Sequence, residues 1–431
     1  MIIERPQYLN QLIQKKDNGM IKVITGVRRS GKSFLLFTLF HQYLNSVDIK
    51  NEQIIELALD EKNNMRYRNP DELDKYIRFA VRDTQTRYYV FIDEIQFVQI
   101  IKNPYLPGDT ISFIDTVLGL MKLKNVDLYI TGSNSKLLSS EIVTQFRDRG
   151  DEIRVYPLSF REFCSVYKSD GRKAWKEYYT YGGLPRILYL NSHKEKSDYL
   201  VGLFEKTYMA DVIERYDIRN EKTVLDDLLN ELSSSIGSLT NPANLSNAFR
   251  SVRKISISSE TIDRYIGYFE DAFILQKVQR YDVKGKKYLS TPLKYYFVDV
   301  GLRNAKLEFR QQEENHIMEN IIFNELIIRG YSVDVGVVEY RGRDENGKDI
   351  RTWLEVDFVA KDADKSFYIQ SSLNIEGEDK RIQEINSLNR IPDSFRKIVV
   401  LKDDIAPWHD NNGILYIGIE EFLQNEKSLE L

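Results

Sequence analysis

The sequence predicts an α/β protein whose amino-terminal part is a doubly wound, mostly parallel sheet. Apolar and aromatic runs recur at residues 21–24, 54–60, 88–93, 126–131 and 151–160, with helical patterns between them. Strands that alternate with helices pair in parallel, because each crossover needs a dozen or more residues. Two runs also end in residues suited to a ligand at the carboxyl edge of such a sheet: Gly26 to Ser33 after the first, and Asp93-Glu94 after the third.

The first run leads into the motif itself. In "IKVITGVRRSGKSFLLFTLF", Gly26, Val27, Arg28, Arg29, Ser30, Gly31, Lys32 and Ser33 match G-x-x-x-x-G-K-[ST] between a strand and a helix. Gly26 and Gly31 let the backbone turn its N–H groups inward around phosphates, and the helix beginning near Lys32 adds its positive end. Lys32 can reach the terminal phosphates, and Ser33 can offer its hydroxyl to Mg²⁺. A glycine-bearing turn is the plainer reading, and the flanking strand and helix weigh against it.

The third run, "YYVFIDEIQ", ends in two adjacent acids. A carboxylate at the end of a buried strand needs a partner. Beside a phosphate loop, Asp93 is the metal-side acid and Glu94 the base that orients and deprotonates an attacking water. After the run at 126–131, Ser133 and Asn134 are candidates to sense a γ-phosphate, and a turn-forming role fits them as well. Before the last run, Arg147 and Arg149 are candidates to complete a neighbouring subunit's site; a solvated turn balanced by Asp148 and Asp151 fits equally.

Composition sets the frame. A chain of 431 residues exceeds one ordinary core, so two or three domains are expected. With 42% hydrophobic and 29% charged residues it reads as a globular protein. The net charge of −4 confines any nucleic-acid contact to a local patch. The single Cys164 excludes an internal disulfide and cysteine zinc clusters, and four His without H-E-x-x-H spacing offer no zinc-protease site. Charge at Glu4 and Arg5 interrupts any signal core, and no apolar run approaches the roughly 18 residues of a membrane helix. A cytoplasmic protein without membrane contact is expected.

Taken in order, "TGVRRSGKS", "FIDEIQ", "YITGSNS", "YPLSFREF" and "YGGLPRI" resemble a group of bacterial and archaeal AAA-type ATPases related to archaeal ATPases and signalling NTPases. The resemblance covers essentially the whole chain and implies ATP and Mg²⁺ as ligands. It also implies a helical and winged-helix middle and a nuclease-like carboxyl-terminal domain. By this resemblance Lys32, Ser33, Asp93 and Glu94 are nucleotide and Mg²⁺ residues, and Arg149 falls near a Gly-Arg position, with Asp148 in place of the glycine. Gly182, Gly183 and Pro185 match a family turn of underived chemistry.

From about residue 206 helices dominate. Val224, Leu225, Leu228, Leu229 and Leu232 make one apolar face; Leu245, Ala248 and Phe249 mark a second helix; Ile262, Ile266, Phe269 and Phe273 mark a third. Two strand-like runs around Gly285 follow, so three helices and a hairpin suggest a winged helix-turn-helix. Between Lys277 and Lys294 there are six basic residues and one acid, with Lys284, Lys286 and Lys287 at the hairpin tip. A DNA-contacting wing and a charged, soluble hairpin both fit this patch.

Residues 315–401 read as an amphipathic helix, three strands, a helix and a strand, with Glu319 on the helix and Asp357 on the middle strand. This resembles the PD-(D/E)xK nuclease core, in which the next strand presents an acid and, two residues on, a lysine. Gln370 and Ser372 stand at those positions. Glu355, on the same strand face as Asp357, and Lys380, on the next helix, would both have to substitute. A binding-only or structural module fits better than an active nuclease.

The expected organisation is therefore an ATPase domain with a helical appendage at 1–205, a winged-helix domain at 206–305 and an inactive nuclease-like domain at 306–431. The expected function is Mg²⁺-dependent ATP hydrolysis used as a conformational switch in nucleic-acid transactions or in defence or stress signalling, possible as a homo-oligomer. A nucleotide-binding regulator with negligible turnover and an ATP-gated nuclease are the alternatives. The protein partner is unspecified.

Overall fold

The computed structural model describes residues 2–132, 149–218, 222–343, 349–363, 365–375 and 378–431. It divides into two compact units, Met1–Pro157 with Asp271–Phe273, and Leu158–Glu270 with Ile274–Leu431.

In the first unit the strands are β1 (Ile21–Thr25), β2 (Ile54–Ala58), β3 (Tyr88–Asp93), a small antiparallel pair β4 (Ile101–Lys102) and β5 (Thr110–Ile111), β6 (Val126–Thr131) and β7 (Gly150–Arg154). Five of them form one sheet in the order β2-β3-β6-β1-β7, all neighbours parallel. The expected α/β class and parallel sheet are observed.

Period-two alternation explains why both faces of this sheet are covered. Val23, Leu57, Val90, Ile92, Leu128 and Ile130 pack on one side against Leu73 and Ile77 of the helix Pro70–Ala80 and Val117 and Leu120 of the helix Phe113–Leu120. Ile24, Phe91, Tyr129 and Ile153 pack on the other. They meet Tyr8 and Leu12 of the helix Pro6–Lys15, and Leu36, Leu39 and Phe40 of the helical run that begins at Lys32. Each such side chain, fully buried, contributes about 1.5–3 kcal/mol. Local signals agree with the packing: Asn69 caps the helix Pro70–Ala80 by accepting from the N–H groups of Asp71 and Glu72, with Pro70 at the first helical position.

The amino edge of the sheet carries a buried ion pair. Lys22, on β1, binds Asp127, on β6, and both are shielded from water. The Lys22 Nζ also donates to Met20 O at 3.0 Å, and Asp127 accepts from the Tyr129 hydroxyl at 2.7 Å and the Asp17 N–H at 2.9 Å.

The second unit holds helices over Phe160–Val166, Gly171–Tyr181, His193–Leu203, Lys222–Ser234, Pro242–Ala248 and Ser259–Asp271 before its first strands. Those strands are β8 (Leu275–Asp282) and β9 (Lys287–Phe297), followed by the helices Val300–Lys306 and Glu314–Ile328. Then come β10 (Ser332–Arg343), β11 (Asp349–Asp362), β12 (Lys365–Ser372), the helix Glu378–Asn389, β13 (Arg396–Leu401), β14 (Trp408–His409) and β15 (Leu415–Gly418). These strands form one mixed sheet in the order β14-β15-β13-β12-β11-β10-β8-β9.

This sheet departs from the expected organisation. The 275–297 hairpin pairs through β8 in parallel with β10, Arg280 opposite Val335 and Asp282 opposite Val337. The boundary expected at 305/306 therefore falls inside a continuous sheet, and the first division falls after Pro157 instead of at 205. A lone hairpin leaves unpaired edges on both sides, and pairing one of them to β10 satisfies it.

The helix Glu314–Ile328 also differs. Every residue from Ile317 to Leu326 is buried, polar ones included, so it is enclosed rather than amphipathic. Its Asn320 exchanges two 2.8 Å hydrogen bonds with the backbone of Phe297, and Asn324 donates to Phe297 O and Val298 O. These amides fix the end of β9.

Removing one member of the Lys22–Asp127 pair leaves a charge buried alone. Asp127→Leu is expected to destabilise the first unit by about 3–5 kcal/mol, and Lys22→Met with Asp127→Leu by much less. Hydrogen exchange of the β1 and β6 amides checks this locally; equal losses in the two variants would contradict it.

Candidate functional site

Parallel pairing brings the carboxyl ends of β1, β3 and β6 to one edge, where Thr25, Asp93 and Thr131 lie. The chain leaves β1 through Gly26, whose φ of +134° suits glycine; a Cβ there would lie 2.1 Å from Val155 O. Arg29 and Gly31 also have positive φ, at 63° and 97°. The loop then enters the helical run at Lys32, placing backbone N–H groups at a helix start.

Inside this loop the Lys32 ammonium is buried and donates to Gly26 O and Val27 O, both at 3.0 Å. Burial lowers its pKa from 10.5 to about 8, opposed by the charges of Glu94 and Asp93. Asp93 is buried as well, and burial raises its pKa against hydrogen bonds from the Ser33 and Thr131 hydroxyls. Glu94 follows at φ 56° and accepts a hydrogen bond from the Gln96 amide. Val27 and Ser30 are buried, Arg28 is half-buried and Arg29 exposed. The geometry thus gathers an under-compensated ammonium, a hydroxyl and two acids around a loop of backbone donors.

Two contributors are missing from the sequence reading. Arg5 is buried, donates to Ser30 O at 2.9 Å and to Tyr156 O at 2.8 Å, and lies 4.6 Å from the centre of the Tyr8 ring. It braces the loop against the segment after β7. Thr131 binds Asp93 from β6. A charged residue interrupting an otherwise apolar start was the only sequence signal for Arg5.

Other expected residues fall elsewhere. Arg149 is exposed and its carbonyl accepts from Ile21 N at 3.0 Å, at the start of β1. It therefore lies at the sheet edge opposite Lys32. Ser133, Asn134 and Arg147 lie outside the described residues. Gly182 and Gly183 have a packing explanation: a Cβ on Gly182 would lie 2.1 Å from Asp299 Oδ1, and Gly183 N donates to Asp299 Oδ2 at 2.7 Å. Burial raises the Asp299 pKa to about 6, opposed by N–H groups of Gly183, Leu302 and Gly301.

In the second unit Glu319, Glu355 and Asp357 do converge, around Lys294. The Lys294 Nζ lies 2.8 Å from Glu319 Oε1 and 2.6 Å from Glu355 Oε1. Burial disfavours its charge, yet Glu319, Asp357 and Glu355 together hold its pKa above the usual lysine range. Lys294 was counted in the basic patch around the hairpin; being buried, it leaves that patch, whereas Lys284, Lys286 and Lys287 are exposed. Gln370 Oε1 accepts from Asp357 N at 3.4 Å, and Ser372 donates to Asn374 O at 3.0 Å. The Lys380 side chain lies outside the described residues.

The Lys32 shift carries a pH signature. Between pH 8 and 10.5 the unfolded chain holds more protons at this group than the folded one, so stability rises with pH across that interval. The gain is at most about 3 kcal/mol, at about 1.4 kcal/mol per pKa unit. Lys32→Met should remove it; urea unfolding of both nucleotide-free proteins at pH 8 and pH 10 checks this, and parallel pH trends would contradict it.

Residues 18–164 match the AAA domain family, and residues 172–313 match a domain of unknown function. The chain is 34% identical over 404 residues to an uncharacterized protein of Haemophilus influenzae, covering 93% of each. It is 30% identical over 349 residues to an uncharacterized protein of Methanocaldococcus jannaschii, covering 77% of this chain and 72% of that one. Among solved structures it is similar to a Walker-type ATPase of Pyrococcus abyssi, with 13% identity, 71% of this chain and 96% of that chain covered, and a TM-score of 0.49. No helix among the described residues is long and apolar enough to cross a membrane. The protein belongs to the family of the Haemophilus influenzae and Methanocaldococcus jannaschii relatives, and its residues 18–164 match an AAA domain.

Proposed function

We propose that the first unit binds ATP with Mg²⁺, hydrolyses it, and uses the loss of the γ-phosphate as a conformational switch. The observation that carries this is the buried Lys32 ammonium, which donates to the carbonyl oxygens of Gly26 and Val27 in a glycine-bearing loop at a helix start. A terminal phosphate offers that ammonium the anionic partner it lacks. The AAA match over residues 18–164 supports the same reading.

The residues suit a magnesium ion: Asp93 is a buried acid short of positive charge, in contact with the Ser33 hydroxyl. Ser33 and Asp93 would hold the ion, which when bound supplies positive charge to the phosphate oxygens. Lys32 binds the terminal phosphates, and the N–H groups from Val27 to Ser33 orient the chain of phosphates. Glu94 takes a proton from the attacking water as general base, which requires release from Gln96. That contact favours a second reading, a nucleotide-bound resting state with negligible turnover. Arg149, exposed at the far edge of the sheet, serves a neighbouring copy's site if copies assemble edge to edge.

For the second unit we propose a phosphate contact through Lys284, Lys286 and Lys287, exposed at the hairpin tip, in keeping with a winged-helix arrangement of the three helices and hairpin. An ATP-gated nuclease is not proposed, since Gln370 and Ser372 bring neither acid nor ammonium.

Glu94→Gln is expected to lower steady-state ATP hydrolysis by about 10²–10⁴-fold while leaving ATP affinity within a few-fold. Phosphate release and equilibrium binding on the same samples check this; wild-type release no faster than the variant's establishes the low-turnover reading. Replacing Lys284, Lys286 and Lys287 by Ala should weaken binding to duplex DNA and reduce the slope of log K against log salt by about 3. An unchanged slope removes the hairpin from the DNA contact.

A further inference from the structure

The carboxylate cluster of the second unit has the residues of a metal site and the geometry of something else. Glu319 comes from the buried helix Glu314–Ile328, Glu355 and Asp357 from one face of β11, and Lys294 from β9. Lys294 reaches the cluster only because the hairpin is an edge of the same sheet.

We propose that the Lys294 ammonium is the resident cation of this cluster, standing where a divalent metal would stand and closing the cluster to metal. The proposal is independent of the nucleotide reading of the first unit.

Three observations carry it. Lys294 is 3% exposed and ion-paired to Glu319 and Glu355 at 2.8 and 2.6 Å, so two of its three donors are committed. Two of the acids have further partners: Glu319 Oε1 also accepts from the Tyr296 hydroxyl at 2.5 Å, and Asp357 Oδ2 accepts from Ser371 N at 2.8 Å. Gly237 packs against the same carboxylate: a Cβ there would lie 3.2 Å from both Glu319 carboxylate oxygens.

A metal entering this cluster must part the Lys294 ammonium from Glu319 and Glu355 and leave a buried cation unpaired, which costs more than the exchange returns. The ammonium therefore does structural work. It ties β9 to the helix Glu314–Ile328 and to β11, and so fixes the hairpin that carries Lys284, Lys286 and Lys287.

The test uses the full chain carrying Asp93→Asn, without nucleotide, so that the first unit contributes no cation site. Calorimetric titration with Mn²⁺ is expected to show no saturable binding below 1 mM, and Lys294→Arg in that chain is expected to behave the same. Lys294→Ala should lower the melting temperature by several degrees, and millimolar Mn²⁺ should restore at least half of the loss. Adding Glu319→Gln should abolish that restoration. Saturable Mn²⁺ binding to the Asp93→Asn chain that disappears with Asp357→Asn overturns the proposal. So does a folded Lys294→Ala chain that Mn²⁺ leaves unchanged. Should Lys294→Ala fail to fold, the titrations of the Asp93→Asn chain with and without Asp357→Asn still decide.

Discussion

The first unit depends on burying the Lys32 ammonium against the backbone carbonyls of Gly26 and Val27. Parallel strands deliver the ends of β1, β3 and β6 to one edge, Gly26 lets the chain turn under Val155, and the helical run starting at Lys32 brings its positive end to the same place. Arg5 holds the loop by its Ser30 carbonyl. What results is a buried ammonium at a helix start, with Asp93 and Glu94 close enough to oppose the loss of the lysine charge. The fold and the electrostatics meet at this one edge of the sheet.

Lys32 and Lys294 show how the same physical cause produces opposite outcomes. Both ammonium groups are buried, and in both burial disfavours the charge. Lys32 hydrogen-bonds to two carbonyl oxygens and its pKa falls to about 8; Lys294 is surrounded by Glu319, Glu355 and Asp357 and its pKa rises. The balance of burial against the opposing carboxylates decides the sign. Lys22, ion-paired with Asp127, falls below the usual range because burial outweighs the charges of Asp127 and Asp17. An under-paired lysine is suited to an incoming anion, and a fully paired one to holding elements together.

The phosphate loop and the acids at Asp93 and Glu94 were legible because their signals are local: a fixed spacing of glycines and lysine, and a strand that ends in two charges. The apolar run from Tyr88 to Ile92 likewise read as a buried strand, and Val90 and Ile92 pack on one face with Tyr89 and Phe91 on the other. What escaped were relations between distant segments. Arg5 lies far from Ser30 in sequence and gains its role only when the helix Pro6–Lys15 packs beside β1. Lys294 looked like part of a basic hairpin, because hairpin registry alone does not show that β8 pairs with β10. Gln370 and Ser372 signalled a lost lysine without showing that an ammonium arrives from another strand. The pairing of β8 with β10 across the expected boundary escaped for the same reason, since sheet pairing leaves no mark on composition.

The central claim is that the Lys32 loop clasps a triphosphate, and equilibrium titration with ATP in Mg²⁺ tests it most directly. Saturable one-to-one binding by the wild-type chain, lost in Lys32→Ala while the variant stays folded, is the predicted result. Wild-type protein that takes up no ATP, or a Lys32→Ala chain that binds it equally well, would contradict the account.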